Sequence, residues 1–108
     1  MANTFNLKTK ANVGVSTSNV YTVPSATTTV VIGVTLANTT GSSINVGVGV
    51  TRASTDDVKL MKNVPIPQGS SFEFMAGNKV VLETTDTLTA ESDVSNSLDV
   101  ALTIMEIT

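Results

Sequence analysis

The chain reads as an all-β protein: a single antiparallel β-sandwich, jelly-roll or immunoglobulin-like, of about eight strands with an extended N-terminal arm. Three observations predict this. Thr and Val dominate the sequence, and β-branched side chains suit a pleated, half-buried surface while losing rotamer freedom in helices. Turn-forming clusters recur at Pro24-Ser25, Thr40-Gly41-Ser42, Ser54 to Asp57, Pro67-Gln68-Gly69, Ala76-Gly77-Asn78, Thr84 to Asp86 and Asp93 to Asn96. Between them apolar residues alternate with polar ones at period two, as strands of a two-sheet sandwich require. The length of 108 residues is that of one domain, able to bury roughly two thirds of its unfolded surface.

Residues 1–19 carry only Phe5, Leu7, Val13 and Val15 as apolar anchors among small polar residues. They are expected to form an N-terminal arm or a first edge strand. The plain reading is a frayed terminus; the sharper one is a segment that orders against a neighbouring subunit. Residues 20–108 form the sandwich, with strands expected at 20–23, 28–37, 43–52, 57–62, 70–75, 79–83, 87–92 and 97–107. The inner faces are assigned to Val30, Ile32, Val34 and Leu36, to Ile44, Val46, Val48 and Val50, and to Leu98, Val100, Leu102 and Ile104. Phe72 and Phe74 alternate around Glu73 and are expected to fill the core at its centre or one end. Glu106 falls on the inner phase of the last strand, which calls for a bulge or an exit from the core. The segment from Ser54 to Asn63 has a helical alternative, with a possible N-cap, acidic residues in the first turn and Pro65 as a stop. Its alternation of Val58 and Leu60 with Lys59 and Met61 favours a strand.

Charge and composition narrow the function. The formal net charge is −3 and the six Lys and Arg are scattered, so no basic patch exists to neutralise phosphates and no nucleic-acid partner is expected. No apolar span approaches the roughly 20 residues of a transmembrane helix, and no signal-like run follows the first basic residues. A protein made in a cytosol, without a membrane partner, is the expectation. Cysteine and histidine are both absent. That removes disulfides, zinc sites of the usual kind, the thiol nucleophile and the commonest general base. The carboxylates Asp56, Asp57, Glu73, Glu83, Asp86, Glu91, Asp93, Asp99 and Glu106 are dispersed among turns and outer faces. No catalytic residue, metal ligand or cofactor is assigned. Asp56 with Asp57, and Glu91 with Asp93, offer only the start of a calcium site and read as turn residues. Asn38-Thr39-Thr40 matches a glycosylation acceptor formally and reads as a hairpin turn.

One stretch stands apart, Ile44 to Arg52, "INVGVGVTR". If its valines point inward, Asn45, Gly47, Gly49 and Thr51 share the outer face, and strand glycines mark a bulge, a bend or a close backbone approach. Two readings stay open: a bulge or tight bend within the chain, or a face that lies against a sister subunit or another protein. Asn45, Gly47, Gly49 and Thr51, with Phe5 and Leu7, are the candidate interface residues.

The order of "VYTVPSATTTVVIGVTLANTTGSSINVGVGVT", "KNVPIPQGSSFEFMAGNKVVLETTDTLTAESD" and "SLDVALTIMEI" resembles a family of small virion structural proteins of tailed bacteriophages, frequent among marine and cyanobacterial phages. The resemblance spans residues 11–107. It rests on Tyr21-Thr22-Val23-Pro24, the "LANTTGSS" hairpin, Pro65 to Ser70 and Met105-Glu106-Ile107, taken in order and spacing. Where the family commonly has Gly-Asp after "VVLE", this chain has Thr85-Asp86. The resemblance implies a non-enzymatic β-sandwich assembled into a virion in the host cytoplasm. A capsid decoration or cement protein on the outside of a phage head comes first, with the major capsid protein or other virion proteins as partners and a homo-oligomer, a trimer, as its expected state. A tail, neck or baseplate component is the alternative, and a carbohydrate-binding or adhesin module is the alternative from another class.

Overall fold

The computed structural model describes residues 3–52, 56–74 and 79–108. Among these there is no helix, and the strands are β1 (Asn3–Val13), β2 (Ser18–Thr22), β3 (Thr28–Asn38), β4 (Ile44–Thr51), β5 (Asp57–Ile66), β6 (Ser71–Phe74), β7 (Val80–Leu82), β8 (Thr87–Ser92) and β9 (Leu98–Ile107). Sheet 1 has the order β1-β9-β3-β6, with β7 also pairing β3, and sheet 2 has the order β2-β8-β4-β5. All pairings are antiparallel. The pairs β1 with β9, β2 with β8, β3 with β6 and β7, and β4 with β5 nest inside one another like one long hairpin. Rolled up so that β9 meets β3 and β8 meets β4, that hairpin is a jelly roll.

Residues 3–13 are therefore strand β1 on the edge of sheet 1, held along β9 from Asn3 opposite Ile107 to Val13 opposite Leu98. The strand assignment for residues 57–62 holds and extends to Ile66. Pro65 sits in β5, where a missing N–H is tolerated because β5 is an edge strand. Residues 53–55 and the turn at Ala76-Gly77-Asn78 lie outside the described residues.

The core lies between the sheets. Val31, Val34, Leu36, Leu98, Leu102 and Ile104 of sheet 1 are buried with Ile44, Val46, Val48 and Leu88 of sheet 2. One inner face differs from expectation. Between Val31 and Gly33 the register of β3 against β9 shifts, so the alternation changes phase there. Val31 takes the inner position opposite Ile104, and Val30 faces outward opposite Met105. Val30 and Ile32, expected inside, are only half-buried. Phe72 is a second correction. It pairs with Leu36 at the open edge of sheet 1 and is 39% exposed rather than central to the core. A residue on an edge strand has packed neighbours on one flank only. The Phe74 side chain lies outside the described residues.

Two polar clusters fix the interior. Asn38 is 3% exposed; its Nδ2 donates to the carbonyls of Ser42 (2.7 Å), Ile66 (2.9 Å) and Pro67 (3.1 Å). Its Oδ1 accepts from the Thr40 N–H and hydroxyl. One amide thus ties the β3–β4 hairpin to the loop after β5. Tyr21, 7% exposed, reaches from sheet 2 across to sheet 1. Its hydroxyl donates to Glu106 Oε2 at 2.5 Å and bonds Thr29 Oγ1 at 2.8 Å, while Asn6 Nδ2 donates to Glu106 Oε1 at 2.7 Å. Glu106 therefore keeps its inner phase because its carboxylate is hydrogen-bonded there, as buried polar groups must be. No buried side-chain polar atom among the described residues lacks a partner.

Burial, then the bond to Glu106, push the Tyr21 hydroxyl from 10.0 up to about 12. Because the folded value lies above the unfolded one, the stability linked to this proton is complete below pH 10 and is lost as pH rises from about 10 to about 12. That loss is about 2–3 kcal/mol at 1.36 kcal/mol per pH unit. Urea titrations from pH 8 to 11.5 are expected to show the steepening in the wild type and its absence in Tyr21→Phe, which should itself cost about 1–2 kcal/mol at pH 7. Equal alkaline slopes in both proteins would refute the assignment.

Candidate assembly interface

The outer faces of the two sheets differ in chemistry. On sheet 2 the outer phase carries Thr22 bonded to Thr87, the exposed Asn45 and Thr51, and Lys59 paired with Glu91 at 2.8 Å. The Lys59 hydrogen bond, the largest influence, holds the Glu91 carboxyl below the usual range. This is an ordinary water-facing surface.

Sheet 1 turns apolar side chains outward. Register places Phe5 beside Met105, Met105 beside Val30 and Val30 beside Val81, so one residue from each of four strands forms a continuous row. Phe5 is 69% exposed and Val81 59%. Leu7, 65% exposed, follows on β1 opposite Thr103, and Ile107 flanks the row at the other side. Further along the same face the side chains become small: Thr9, Ala101 and Thr35 align, and Ala37 lies opposite Asp99. They line a shallow hollow of about 240 Å³ together with Ala11 and Lys10. The charges registered on this face are Glu73, which accepts the Thr35 hydroxyl, and Asp99, which accepts the Asn12 N–H. Both lie at the hollow end. An apolar ridge and a small-residue hollow on one sheet face mark a surface suited to another protein.

The candidate residues from the sequence therefore separate. Phe5 and Leu7 lie on the outer face of sheet 1. Asn45, Gly47, Gly49 and Thr51 lie on β4, in the interior of sheet 2 between β8 and β5. Gly47 and Gly49 are buried, and what comes close to them belongs to this chain. A Cβ on Gly49 would stand 2.8 Å from the Val58 carbonyl oxygen, and one on Gly47 3.3 Å from that of Met61. The β4–β5 register shifts twice, between Val46 and Val48 and between Val48 and Gly49. These bulges push the β5 backbone over the glycines, and Lys59 and Glu91 cover them further. The close approach is the intrachain bulge, and no Cβ-less docking face remains at Gly47 and Gly49. The apolar row itself was not evident in the sequence. Met105, Val30 and Val81 join Phe5 only through pairing of distant strands, although the outward phase of Ile107 was readable from alternation.

The remaining motifs are structural. Asn38 is the buried tie described above. Asp86, 7% exposed in its side chain, accepts from Arg52 at 3.2 Å and from the Glu83 N–H at 2.9 Å, and closes the turn in which Thr85 takes φ 73°. That left-handed position is one a glycine occupies without strain. Asp93 accepts the Asn45 N–H at 2.9 Å. Among the described residues no three acidic side chains come together to hold a metal ion.

The fold defines a jelly-roll β-sandwich, and comparison with solved structures agrees. The chain is similar, with TM-score 0.60 and 12% identity over 99% of its length and 87% of the other chain, to one from the work described as "Bacillus endospore appendages form a novel family of disulfide-linked pili". At that identity the likeness concerns the fold. No family model matches the chain, and no curated protein matches it.

Proposed function

We propose that this chain is a non-enzymatic structural subunit of a tailed-phage virion, a decoration or cement protein that binds the outside of the head. The observation that carries the reading is the outward apolar row of sheet 1, which a protein working alone in water would not present. The sequence resemblance to small phage virion proteins supplies the setting, and the jelly roll is a scaffold that viral capsid domains use. Function does not follow from fold, so the apolar face, and not the topology, bears the weight. The partners are then the major capsid protein and sister copies, and the location is the virion after assembly in the host cytoplasm.

A tail, neck or baseplate component is the second reading, favoured by the likeness to a pilus chain, a protein of an appendage. That pilus is disulfide-linked; this chain has no cysteine, so its own assembly would rest on buried surface. A glycan-binding role has less support, because the chain has no Trp and its one Tyr, Tyr21, is buried with its hydroxyl engaged. Gold-labelled antibody on purified particles tests the proposal. Label over the head is expected, label confined to the tail selects the second reading, and unlabelled intact particles reject both.

A further inference from the structure

We infer that the outer face of sheet 1 is a homotypic interface, on which a second copy packs face to face about a two-fold axis lying across the strands. It rests on the reading of the chain as an assembly subunit and names the partner of that face.

Three observations select a second copy. The first is shape. The ridge running from Phe5 through Met105 and Val30 to Val81 and the hollow lined by Thr9, Ala11, Thr35, Ala37 and Ala101 lie at opposite ends of one face. A two-fold axis in the plane of that face and perpendicular to the strands reverses one copy end for end. The ridge of each then meets the hollow of the other, the reciprocal contact an isologous interface demands. The second is charge. The outward phase of the ridge end carries no ionisable group among its registered pairs, and at the hollow end, which Lys10 also lines, the two carboxylates are already hydrogen-bonded within the chain. Reversal therefore sets each acidic end against an uncharged one and avoids like-charge contact.

The third is size. Three strands of about ten residues, flanked by the short β6 and β7 on one side, at about 4.8 Å between strands and about 3.3 Å per residue give a face of about 600 Å². Two such faces bury about 1,200 Å², the lower bound of stable specific interfaces. The opposite face of the molecule, with its Lys59–Glu91 pair and threonines, stays in water.

Sedimentation velocity on the purified chain tests this. A species of twice the 11.2 kDa chain mass is expected. Phe5→Lys on the ridge and Ala101→Glu at the hollow should each raise the dimer dissociation constant about 100-fold, because each would bury an unpaired charge. Both positions face outward, so circular dichroism melts of the monomers should remain cooperative. Mixing the two variants should restore a heterodimer through a lysine–glutamate pair at one ridge-to-hollow contact. A monomeric wild type, or a dimer indifferent to both variants, overturns the inference. Failure of the mixture alone overturns the end-for-end arrangement. Head labelling is read separately: a monomer found on the head defeats this inference and spares the functional reading, and a dimer absent from particles does the reverse.

Discussion

Gly49→Val is expected to destabilise the domain by about 3–4 kcal/mol, the upper end of overpacking effects. In an isolated strand valine would be an improvement over glycine. Here the new Cβ would stand 2.8 Å from the carbonyl oxygen of Val58, and two further side-chain atoms, Lys59 Cδ and Thr89 Oγ1, lie at 3.4 Å. The obstruction is backbone of the paired strand, which cannot swing aside without breaking the β4–β5 ladder. Gly47→Val meets a carbonyl at 3.3 Å and should cost less, about 1–2 kcal/mol. Gly41→Ala, with nothing within 4 Å, is the control and should be near neutral. At about 4–8 °C per kcal/mol for a domain of this size, Gly49→Val should melt about 15–25 °C below wild type. Equal melting of the Gly49 and Gly41 variants would refute the role of the bulge. Because neither β4 glycine lies on the outer face of sheet 1, the residual folded protein should keep its wild-type oligomeric state.

Asn38→Ala is expected to cost about 3–4 kcal/mol, since each stranded buried polar group costs about 1–3 kcal/mol. The buried Ile66 carbonyl loses its side-chain donor and the Thr40 N–H its acceptor, while the Ser42 carbonyl keeps the Thr40 hydroxyl and the Pro67 carbonyl keeps Ser70. Asn38→Asp should cost at least as much, because a carboxylate cannot donate to carbonyls. Hydrogen exchange locates the damage. The Asn38 and Ser70 amides, in the hairpin and in the loop after β5, should lose protection before those of β9. Uniform loss across the molecule would show that Asn38 acts through the core as a whole and not as a tie between two loops.

The same two residues show what the linear sequence can and cannot convey. Asn38 reads as a turn residue beside Thr40-Gly41, and it is one. Its three carbonyl partners lie 4, 28 and 29 residues away, a distance over which local spacing carries no information. Gly47 and Gly49 likewise announce a close approach, and the chain alone leaves two candidates for what approaches. The bulges in β4–β5 pairing decide for the neighbouring strand.

Strand existence was legible because alternation is local: an inward valine followed by an outward polar residue records burial one residue at a time. The all-β class, the turns and the inner faces of β4 and β9 follow from that record. Phase across a bulge is not local. In β3 one irregularity between Val31 and Gly33 moves Val30 and Ile32 to the other side of the sheet, because shifting the register by one residue exchanges faces. Edge position is not local either, and it is why Phe72, correctly phased opposite Leu36, still meets solvent. The apolar row depends on both. Phe5, Met105, Val30 and Val81 become neighbours only when residues 51 to 100 positions apart pair in one register. The sequence by itself determined that this chain builds a cysteine-free sandwich with a valine-rich core. Only the tertiary structure decided which apolar side chains that core leaves outside, since that choice is made by pairing between strands and not within them.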